Sequence, residues 1–274
     1  LYEDMMRRLQ QRLGPIPFPV AETPLFLTHE LRDRLVADAL AVVEQLSRPE
    51  TLARCRKAVP AQYDAPGMDE LPNTVQVDFA LVEGEGGRLE GKLIELQGFP
   101  SLYALMPFKA EAWAEAMAKV PGLEGPWSCF VGGTREERLK LIGDTILGGE
   151  DPEQVVLVDY KPELQKTSPD FVATRQLFGV DAVCVTELIK RGRKLYRRKE
   201  GREVPVARIY NRMVFDELMV KKVQVPFDWR EELDVSWCSH PNWYWTWSKF
   251  CLPMLSHPSV PRARLLSEFE QLPE

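Results

Sequence analysis

The run VVLVDYKPELQKTSPDFVATRQLFGVDAVCVTE, residues 155–187, decides the fold. It begins with an apolar segment at 155–160 and ends with another at 180–187. Residues 169–178 between them have the pattern of a helix, and Gly179 is of the residue type that commonly ends one. A helix that connects two apolar strands predicts a parallel β-α-β unit of the Rossmann-like kind.

A pair of strands precedes this unit. Residues 74–83, TVQVDFALVE, alternate apolar and polar side chains, which is typical of a half-buried strand. A glycine-rich turn, GEGGRLEG, leads to KLIELQGFPSL at 92–102, in which residues 92–97 form a second strand. Two strands joined by a glycine-rich loop predict a β-hairpin.

Three oxygen-bearing side chains are expected to converge on this hairpin. Glu95 and Gln97 are two residues apart, so they should face one side of the strand while Ile94 and Leu96 face the other. Asp78, on the first strand, is expected to lie near both. Such oxygen donors suit a hard cation such as Mg²⁺, which keeps several waters and bridges to phosphates. Spacing alone favours a plainer interpretation, in which these polar residues face solvent on a half-exposed hairpin.

The composition is that of a soluble globular protein. The chain has 274 residues, of which 45% are hydrophobic and 28% charged, enough for one large domain or two smaller ones. No apolar run is long enough to span a bilayer, and the net charge of −6 argues against a general nucleic-acid binder. Five scattered cysteines without a CxxC pair favour reduced thiols. We therefore expect a cytoplasmic protein with neither nucleic acid nor membrane as a partner.

Further helices are expected elsewhere in the chain. Helical spacing covers residues 1–13 and 30–47, with Thr28 as the N-cap of the second helix. A short helix is expected at 215–219, and a longer, tryptophan-rich helix at 242–255 is expected to pack in the core. Together with the strands, these helices indicate an α/β protein.

Two motifs have both a structural and a functional interpretation. FVGGTREE at 130–137 places a glycine pair before a helix, where phosphate can bind, but Thr134 and Glu137 form a capping box that explains the motif without a ligand. KRGRKLYRRK at 190–199 lies on a polar hairpin that is either simply solvated or an anion-binding surface. We favour the capping box and the solvated hairpin.

Mixed cysteine and histidine residues near the end of the chain raise the question of a zinc site. Their spacings match no common zinc pattern, so packed thiols and partly exposed histidines are the favoured interpretation. These residues are Cys238, His240, Cys251 and His257.

A last cluster of polar residues, RIYNRMVFDEL at 208–218, follows the β-α-β unit. Ligands of open α/β sheets bind beyond the carboxyl ends of the strands, so the cluster is a candidate ligand site. An internal group of ion pairs explains the same residues equally well.

The two strands of the hairpin, VQVDF at 75–79 and KLIELQGFPSL at 92–102, together resemble the glutathionylspermidine synthetase-like branch of the ATP-grasp ligases. In that branch the fold is circularly permuted, and its metal-binding strands come early, as R-x-D-F followed by E-x-N. The segment 241–258 is similar to the family's helix before the nucleotide lobe. The whole chain is still more similar to bacterial ATP-grasp-type proteins that carry the motifs IE-[LM]-Q-x-FP-[ST]-L and RIYNR-x-x-FD.

The resemblance implies a metal site on the hairpin. The family's Asp, Glu and Asn fall on Asp78, Glu95 and Gln97, and its Arg falls on Gln76. A glutamine amide can still offer an oxygen to a metal, whereas loss of the arginine removes a positive charge near the transferred phosphate. The cofactors implied are Mg²⁺ and ATP, with the metal held against the ATP phosphates.

The activity implied is an ATP- and Mg²⁺-dependent ligase that joins a carboxylate to an amine or thiol through an acyl phosphate, or the substrate- and metal-binding portion of one. The carboxylate belongs to a small molecule or peptide, and Arg208 and Arg212 are expected to grip it as catalytic residues. One alternative is a non-catalytic module on the same frame that binds a peptide, a small acid or a protein partner. Another is an enzyme that uses Asp78 and Glu95 as an acid–base pair without ATP.

The expected architecture is α/β and ATP-grasp-related, with a mixed sheet. Residues 1–149 hold a helical N-terminal part and the hairpin, 150–235 a Rossmann-like pre-ATP-grasp unit, and 236–274 the tryptophan-rich helix. In the family this last segment leads to a nucleotide lobe with a K-P-x-x-x-x-x-G-x-G pattern. The chain ends at LLSEFEQLPE without that pattern, so we expect the nucleotide lobe to be missing at the C-terminus.

Overall fold

The computed structural model describes residues 1–99, 101–123 and 132–270. In chain order its helices are α1 (Tyr2–Leu13), α2 (His29–Leu46), α3 (Pro49–Cys55), α4 (Leu105–Met117), α5 (Arg135–Leu147), α6 (Ser168–Phe178), α7 (Phe215–Val220) and α8 (Trp243–Thr246). Its strands are β1 (Gln76–Glu83), β2 (Leu89–Gln97), β3 (Val155–Asp159), β4 (Asp181–Cys184), β5 (Ile189–Arg191), β6 (Lys194–Lys199), β7 (Arg202–Val206), β8 (Arg208–Asn211) and β9 (Ser236–Cys238).

The chain folds into two compact units, each built from separate stretches of sequence. The three consecutive segments expected from the sequence do not coincide with these units, because α1 packs on α4 while α2 packs on β2. The parallel-sheet unit comprises Leu1–Phe26, Ser101–Asp228 and Leu233–Cys238, and the hairpin unit comprises Leu27–Pro100, Trp229–Glu232 and Ser239–Glu274.

The parallel-sheet unit is organised around four parallel strands in the order β4-β3-β8-β9. The predicted β-α-β unit is confirmed as β3, α6 and β4. Gly179 ends α6 with a φ of 72°, and its N–H donates to the Arg175 carbonyl. From β3 the chain continues through α6 to β4, which lies on one side of β3 in the sheet. Strand β8, which comes later in the chain, lies on the other side of β3. A topological switch point therefore falls between the carboxyl ends of β3 and β8.

Helix α1 closes one core of this unit with a single apolar face. Met5, Leu9 and Leu13 recur every fourth residue, so they form one stripe along the helix. The stripe packs against α4, including the nearly buried Trp113. Each such side chain contributes about 1.5–3 kcal/mol when removed from water.

The basic residues of 190–199 lie on a three-stranded antiparallel sheet, β5-β6-β7. The described structure supplies acidic partners for them: Arg197 Nη1 lies 2.8 Å from Asp181 Oδ2, and Arg191 Nη2 lies 2.8 Å from Glu203 Oε1. Much of the positive charge in this run is thus neutralised by neighbouring carboxylates.

The hairpin unit contains the predicted hairpin, in which β1 and β2 pair antiparallel and form a sheet of their own in the described part of the chain. A bulge interrupts the register, since Asp78 pairs with Glu95 but Phe79 pairs with Leu93. Ile94 is left without a partner and is 48% exposed. The prediction that Ile94 shares the inner face of Leu96 is wrong, because a bulge moves the extra residue out of the alternation.

The tryptophan-rich segment is not the single long helix predicted for 242–255. Helix α8 stops before Ser248, which is extended and whose Oγ accepts the N–H of Phe250, and a 3₁₀ helix, Lys249–Met254, begins there. The predicted core packing holds for Trp243 and Trp247, which are 1% and 2% exposed and pack with the buried leucines of β2.

Candidate functional site

Two carboxylates face each other across the hairpin. Asp78 and Glu95 are directly paired residues of β1 and β2, and Gln76 and Gln97 form the next pair of polar residues. Side chains of directly opposed residues lie on one face of a sheet, so all four project to the same side. All four are half-buried. The structure therefore brings together the three residues that the sequence proposed as metal ligands.

Amide groups hold these carboxylates in place. Gln97 Nε2 donates to Glu95 Oε1 at 2.8 Å and to Asp78 Oδ2 at 3.3 Å. Gln76 Nε2 donates to Asp78 Oδ1 at 3.2 Å. Two like charges close together repel, and hydrogen bonds from shared amide donors offset part of that repulsion.

A lysine supplies the cluster with a counter-charge. Lys249 Nζ lies 2.9 Å from Glu95 Oε2, and the Lys249 side chain is 65% exposed. An exposed ion pair of this kind is weak, worth about 0.2–1 kcal/mol. Lys249 can therefore give way to a stronger cation at little cost.

The donor set fits a hard divalent cation. Mg²⁺ is commonly held by one or two carboxylates, with waters and phosphate oxygens completing its shell, and Asp78 and Glu95 provide such a pair. Gln76 Oε1 is buried and has no hydrogen-bond partner among the described residues, so it offers a further oxygen at the cluster. Rotation of the Gln97 amide would present its oxygen in place of its nitrogen. Within residues 1–99, 101–123 and 132–270 no group of three or more His, Cys, Asp and Glu side chains is placed to hold a metal ion.

Arg208 and Arg212, the two residues predicted to grip a substrate carboxylate together, lie at opposite ends of β8. Four residue steps along an extended strand separate them by roughly 13 Å. Arg208 lies at the start of the strand, where its Nε and Nη2 donate to the carbonyls of Ile146 and Thr145, both at 3.0 Å. These carbonyls end α5, so Arg208 satisfies a helix C-terminus and does not share a site with Arg212.

Arg212 follows β8 at the switch-point edge of the parallel sheet and is only 4% exposed. Asp159, at the same edge, ends β3 and is 3% exposed. Burial raises the pKa of Asp159 to about 7, against the opposing effects of the Tyr160 N–H, which donates to Asp159 Oδ1 at 2.7 Å, and of the Arg212 charge. The Arg212 guanidinium also lies over the ring of Phe171, 5.7 Å from its centroid.

A second buried acid lies near Arg212. Asp170 is fully buried in the first turn of α6, and its Oδ1 accepts the N–H groups of Ala104 and Leu105 at 3.0 and 2.9 Å. Burial raises the pKa of Asp170, and the charge of Arg212 opposes that shift. Neither acid was predicted from the sequence as part of a site. The signal for Asp159 was a carboxylate closing an apolar strand, whereas nothing local marked Asp170.

The other candidate motifs have structural explanations in the described residues. The capping box is confirmed: Thr134 Oγ1 accepts the Glu137 N–H at 3.2 Å, and Glu137 Oε2 accepts the Thr134 N–H at 2.7 Å. Residues Phe130 and Val131 of that motif, and Cys129, lie outside the described residues.

The cysteines and histidines do not form a zinc site in the described structure. His240 Nε2 lies 3.0 Å from the Pro66 carbonyl, and His257 Nδ1 lies 2.7 Å from Ser259 Oγ. Burial raises the pKa of Cys238 to about 11. Each of these groups is accounted for by local packing and hydrogen bonds.

Comparison with solved structures identifies the class of fold that this chain adopts. No protein-family model matches the chain, and no curated protein does either. Solved structures do match, and they place the chain among α/β proteins of glutathione synthetase-like fold, consistent with an ATP-grasp-related architecture. Among the described residues no helix has the length and apolarity needed to cross a bilayer.

One of these structures is a glutathione synthetase-like effector, GSS30, from Globodera pallida in its apo form. It aligns with a TM-score of 0.59 and 13% sequence identity over 94% of this chain. The alignment covers 66% of that protein, so the chain spans just under two thirds of its neighbour's length. At this identity the likeness establishes the fold alone.

Proposed function

We propose that the chain is an ATP- and Mg²⁺-dependent ligase that joins a carboxylate to an amine or thiol, or the substrate- and metal-binding portion of one. One observation carries the proposal: Asp78 and Glu95 are directly opposed on one face of the hairpin, with Gln97 hydrogen-bonded to both. The glutathione synthetase-like fold supports the same class of reaction.

The chain's own residues have separate roles in this proposal. Asp78 and Glu95 would hold Mg²⁺, and the amide oxygens of Gln76 and Gln97 would complete the protein ligands. When bound, the metal supplies positive charge that neutralises ATP phosphates. Lys249 balances the charge of Glu95 when no metal is present.

The carboxylate substrate is assigned to the switch-point edge of the parallel-sheet unit. Arg212 is the proposed carboxylate-binding residue, because it follows β8 at the edge where open α/β sheets bind ligands. Asp159 and Asp170 are buried near Arg212, and the charge of Arg212 opposes the upward shift that burial gives to the pKa of each acid. Arg208 is left out of the substrate site because its guanidinium already binds the end of α5.

The test is turnover by the longest product of the gene, assayed as phosphate release from ATP with a panel of carboxylates, amines and thiols. Asp78→Asn and Glu95→Gln keep the shape of the cluster but remove its charge, so both should abolish Mg²⁺-dependent turnover. Glu83→Gln removes an exposed carboxylate from the same strand outside the cluster and should leave turnover intact. Undiminished turnover in the first two variants would refute the proposal.

A specific observation favours a second candidate, a non-catalytic binding module. The ion pair between Lys249 and Glu95 gives the cluster a counter-charge without any metal. In this alternative the glutathione synthetase-like frame binds a peptide, a small acid or a protein partner. Nucleotide binding without turnover in the longest gene product would support it, and measured turnover would exclude it.

A further inference from the structure

Two cysteines far apart in the sequence meet in the core of the hairpin unit. Cys55 is the last residue of α3, and Cys251 lies in the 3₁₀ helix Lys249–Met254. Their Sγ atoms are 3.3 Å apart, and both residues are fully buried. The sequence predicted a packed thiol for Cys251 and a reduced one for Cys55, but it gave no indication that the two would be in contact.

The surroundings make the two thiols chemically unequal. Cys251 Sγ lies 2.8 Å from the Thr246 carbonyl oxygen, and Met254 Sδ lies 3.5 Å from Cys55 Sγ. The hydrogen bond with Cys251 lowers the pKa of Cys55, the charge of Arg54 adds to this, and burial opposes it. The same contact and burial raise the pKa of Cys251. Cys55 is therefore the better nucleophile of the pair, since the thiolate is the reactive form.

We propose that Cys55 and Cys251 form a reversible dithiol–disulfide pair, with Cys55 as the thiol that reacts with a peroxide and Cys251 as the thiol that resolves it. The contact between the two sulfur atoms carries the proposal, because a resolving thiol must reach the oxidised sulfur directly.

The reaction balances in two steps. The Cys55 thiolate attacks one peroxide oxygen, an S–O bond forms, the O–O bond breaks, and the leaving oxygen departs as water after taking up a proton. The Cys251 sulfur then attacks the Cys55 sulfur, an S–S bond forms, and the S–O bond breaks, releasing a second water that carries the Cys251 proton. The two sulfurs lose two electrons in total and the peroxide gains them. A small dithiol reverses the change by exchange.

The proposal requires local opening, because both thiols are fully buried. Cys251 lies in a 3₁₀ helix that contains Pro253, and 3₁₀ geometry makes poorer hydrogen bonds than an α-helix. The proposed opening is confined to this short segment and does not need global unfolding. A peroxide is also small enough to enter through a modest opening.

The pair is linked to the candidate metal site through one short element. The 3₁₀ helix that holds Cys251 begins at Lys249, whose ammonium group pairs with Glu95. Drawing Cys251 toward Cys55 would displace Lys249 and change the affinity of the hairpin for a cation. This consequence, unlike the disulfide itself, rests on the proposed function.

The test treats the folded chain with hydrogen peroxide, blocks the remaining thiols with an alkylating reagent, and analyses non-reduced peptides by mass spectrometry. Two of the five thiols should be lost, one peptide pair should link Cys55 to Cys251, and dithiothreitol should restore both. The matched control Cys184→Ser removes another buried thiol and should keep the link. Cys55→Ser and Cys251→Ser should each abolish it.

Three results would overturn the inference: both thiols remaining alkylatable after peroxide, Cys55 ending as a sulfinic acid without a link, or links spread over other cysteines. Each of these results is measured on the wild-type chain, so a variant that fails to fold does not weaken the test. The peptide link is measured without any cation. Failure of the proposed function would instead appear as absent Mg²⁺ binding with the link intact.

Discussion

The ammonium group of Lys249 lies 2.9 Å from a carboxylate oxygen of Glu95 and thus occupies the place of a cation beside the acidic pair of the hairpin. The lysine comes from a different segment, the 3₁₀ helix that follows the tryptophan-rich turn. A bound Mg²⁺ must compete with this side chain for Glu95. The ion pair is therefore expected to lower the affinity of the cluster for Mg²⁺. In the absence of metal it offsets part of the negative charge of the cluster.

Lys249→Gln should raise Mg²⁺ affinity about 1.4- to five-fold, because removal of an exposed ion pair releases about 0.2–1 kcal/mol of competing interaction. Calorimetric titration of Mg²⁺ into both proteins measures the change. Lys92→Gln is the matched control, since Lys92 is on the same hairpin but pairs with Glu90. Equal affinities for Lys249→Gln and wild type would show that the lysine does not compete.

Asp159 should make the protein less stable as the pH rises from about 4 to 7. Its pKa is about 7 in the folded state, above the ordinary value of 3.8, so the folded state binds more protons across this range. The stabilisation is complete below pH 4 and is lost as the pH passes through 7. Asp159→Asn keeps an oxygen for the Tyr160 N–H and should be more stable than wild type at pH 8, by a difference on the order of 4 kcal/mol.

Urea unfolding of wild type and Asp159→Asn at pH 5 and pH 8 checks this prediction. The pKa of the buried Asp170 is shifted in the same direction, so Asp170 also makes stability depend on pH. Wild type and variant both contain Asp170, and the difference between their unfolding free energies therefore reports on Asp159. The account fails for Asp159 if both proteins show the same change in unfolding free energy between the two pH values.

Arg208→Gln should destabilise the fold by about 3 kcal/mol, because it leaves the carbonyls that end α5 without their charged donor. Gly148→Ala should act on the same contact, since an added Cβ would lie 2.7 Å from the guanidinium carbon of Arg208. Both effects are measured as unfolding free energies. An Arg208→Gln variant of normal stability that no longer bound a carboxylate substrate would restore the substrate role predicted from the sequence.

Leu96→Ala should cost about 2–5 kcal/mol, whereas Ile94→Ala on the same strand should cost no more than about 0.5 kcal/mol. The bulge places Leu96 in the core at 1% exposed and Ile94 at 48% exposed. Denaturant unfolding of the two variants compares the unfolding free energies after truncation of two side chains of similar size, two residues apart on one strand. Similar costs would mean that Ile94 shares the buried face, as simple alternation predicts.

The sequence was most informative where local patterns dominate. The apolar strand at 155–159, the C-cap Gly179 and the capping box of Thr134 follow from short-range rules, and the structure confirms them. The apposition of Asp78 and Glu95 also followed, because hairpin pairing is local.

Long-range relationships could not be read from spacing. The tryptophan-rich segment broke at Ser248, whose side chain caps a new helix. Arg208 was expected in a ligand site, but its partners come from α5, about sixty residues earlier. Lys249 and Cys251 meet Glu95 and Cys55 only through tertiary packing.

The most direct test of the central claim is calorimetric titration of Mg²⁺ with a non-hydrolysable ATP analogue, on this chain and on the longest product of the gene. The account predicts binding by the longest product that Asp78→Asn and Glu95→Gln abolish and Glu83→Gln leaves unchanged. Binding that survives in both cluster variants, or no binding by the longest product at all, would contradict the assignment of the hairpin as a metal site.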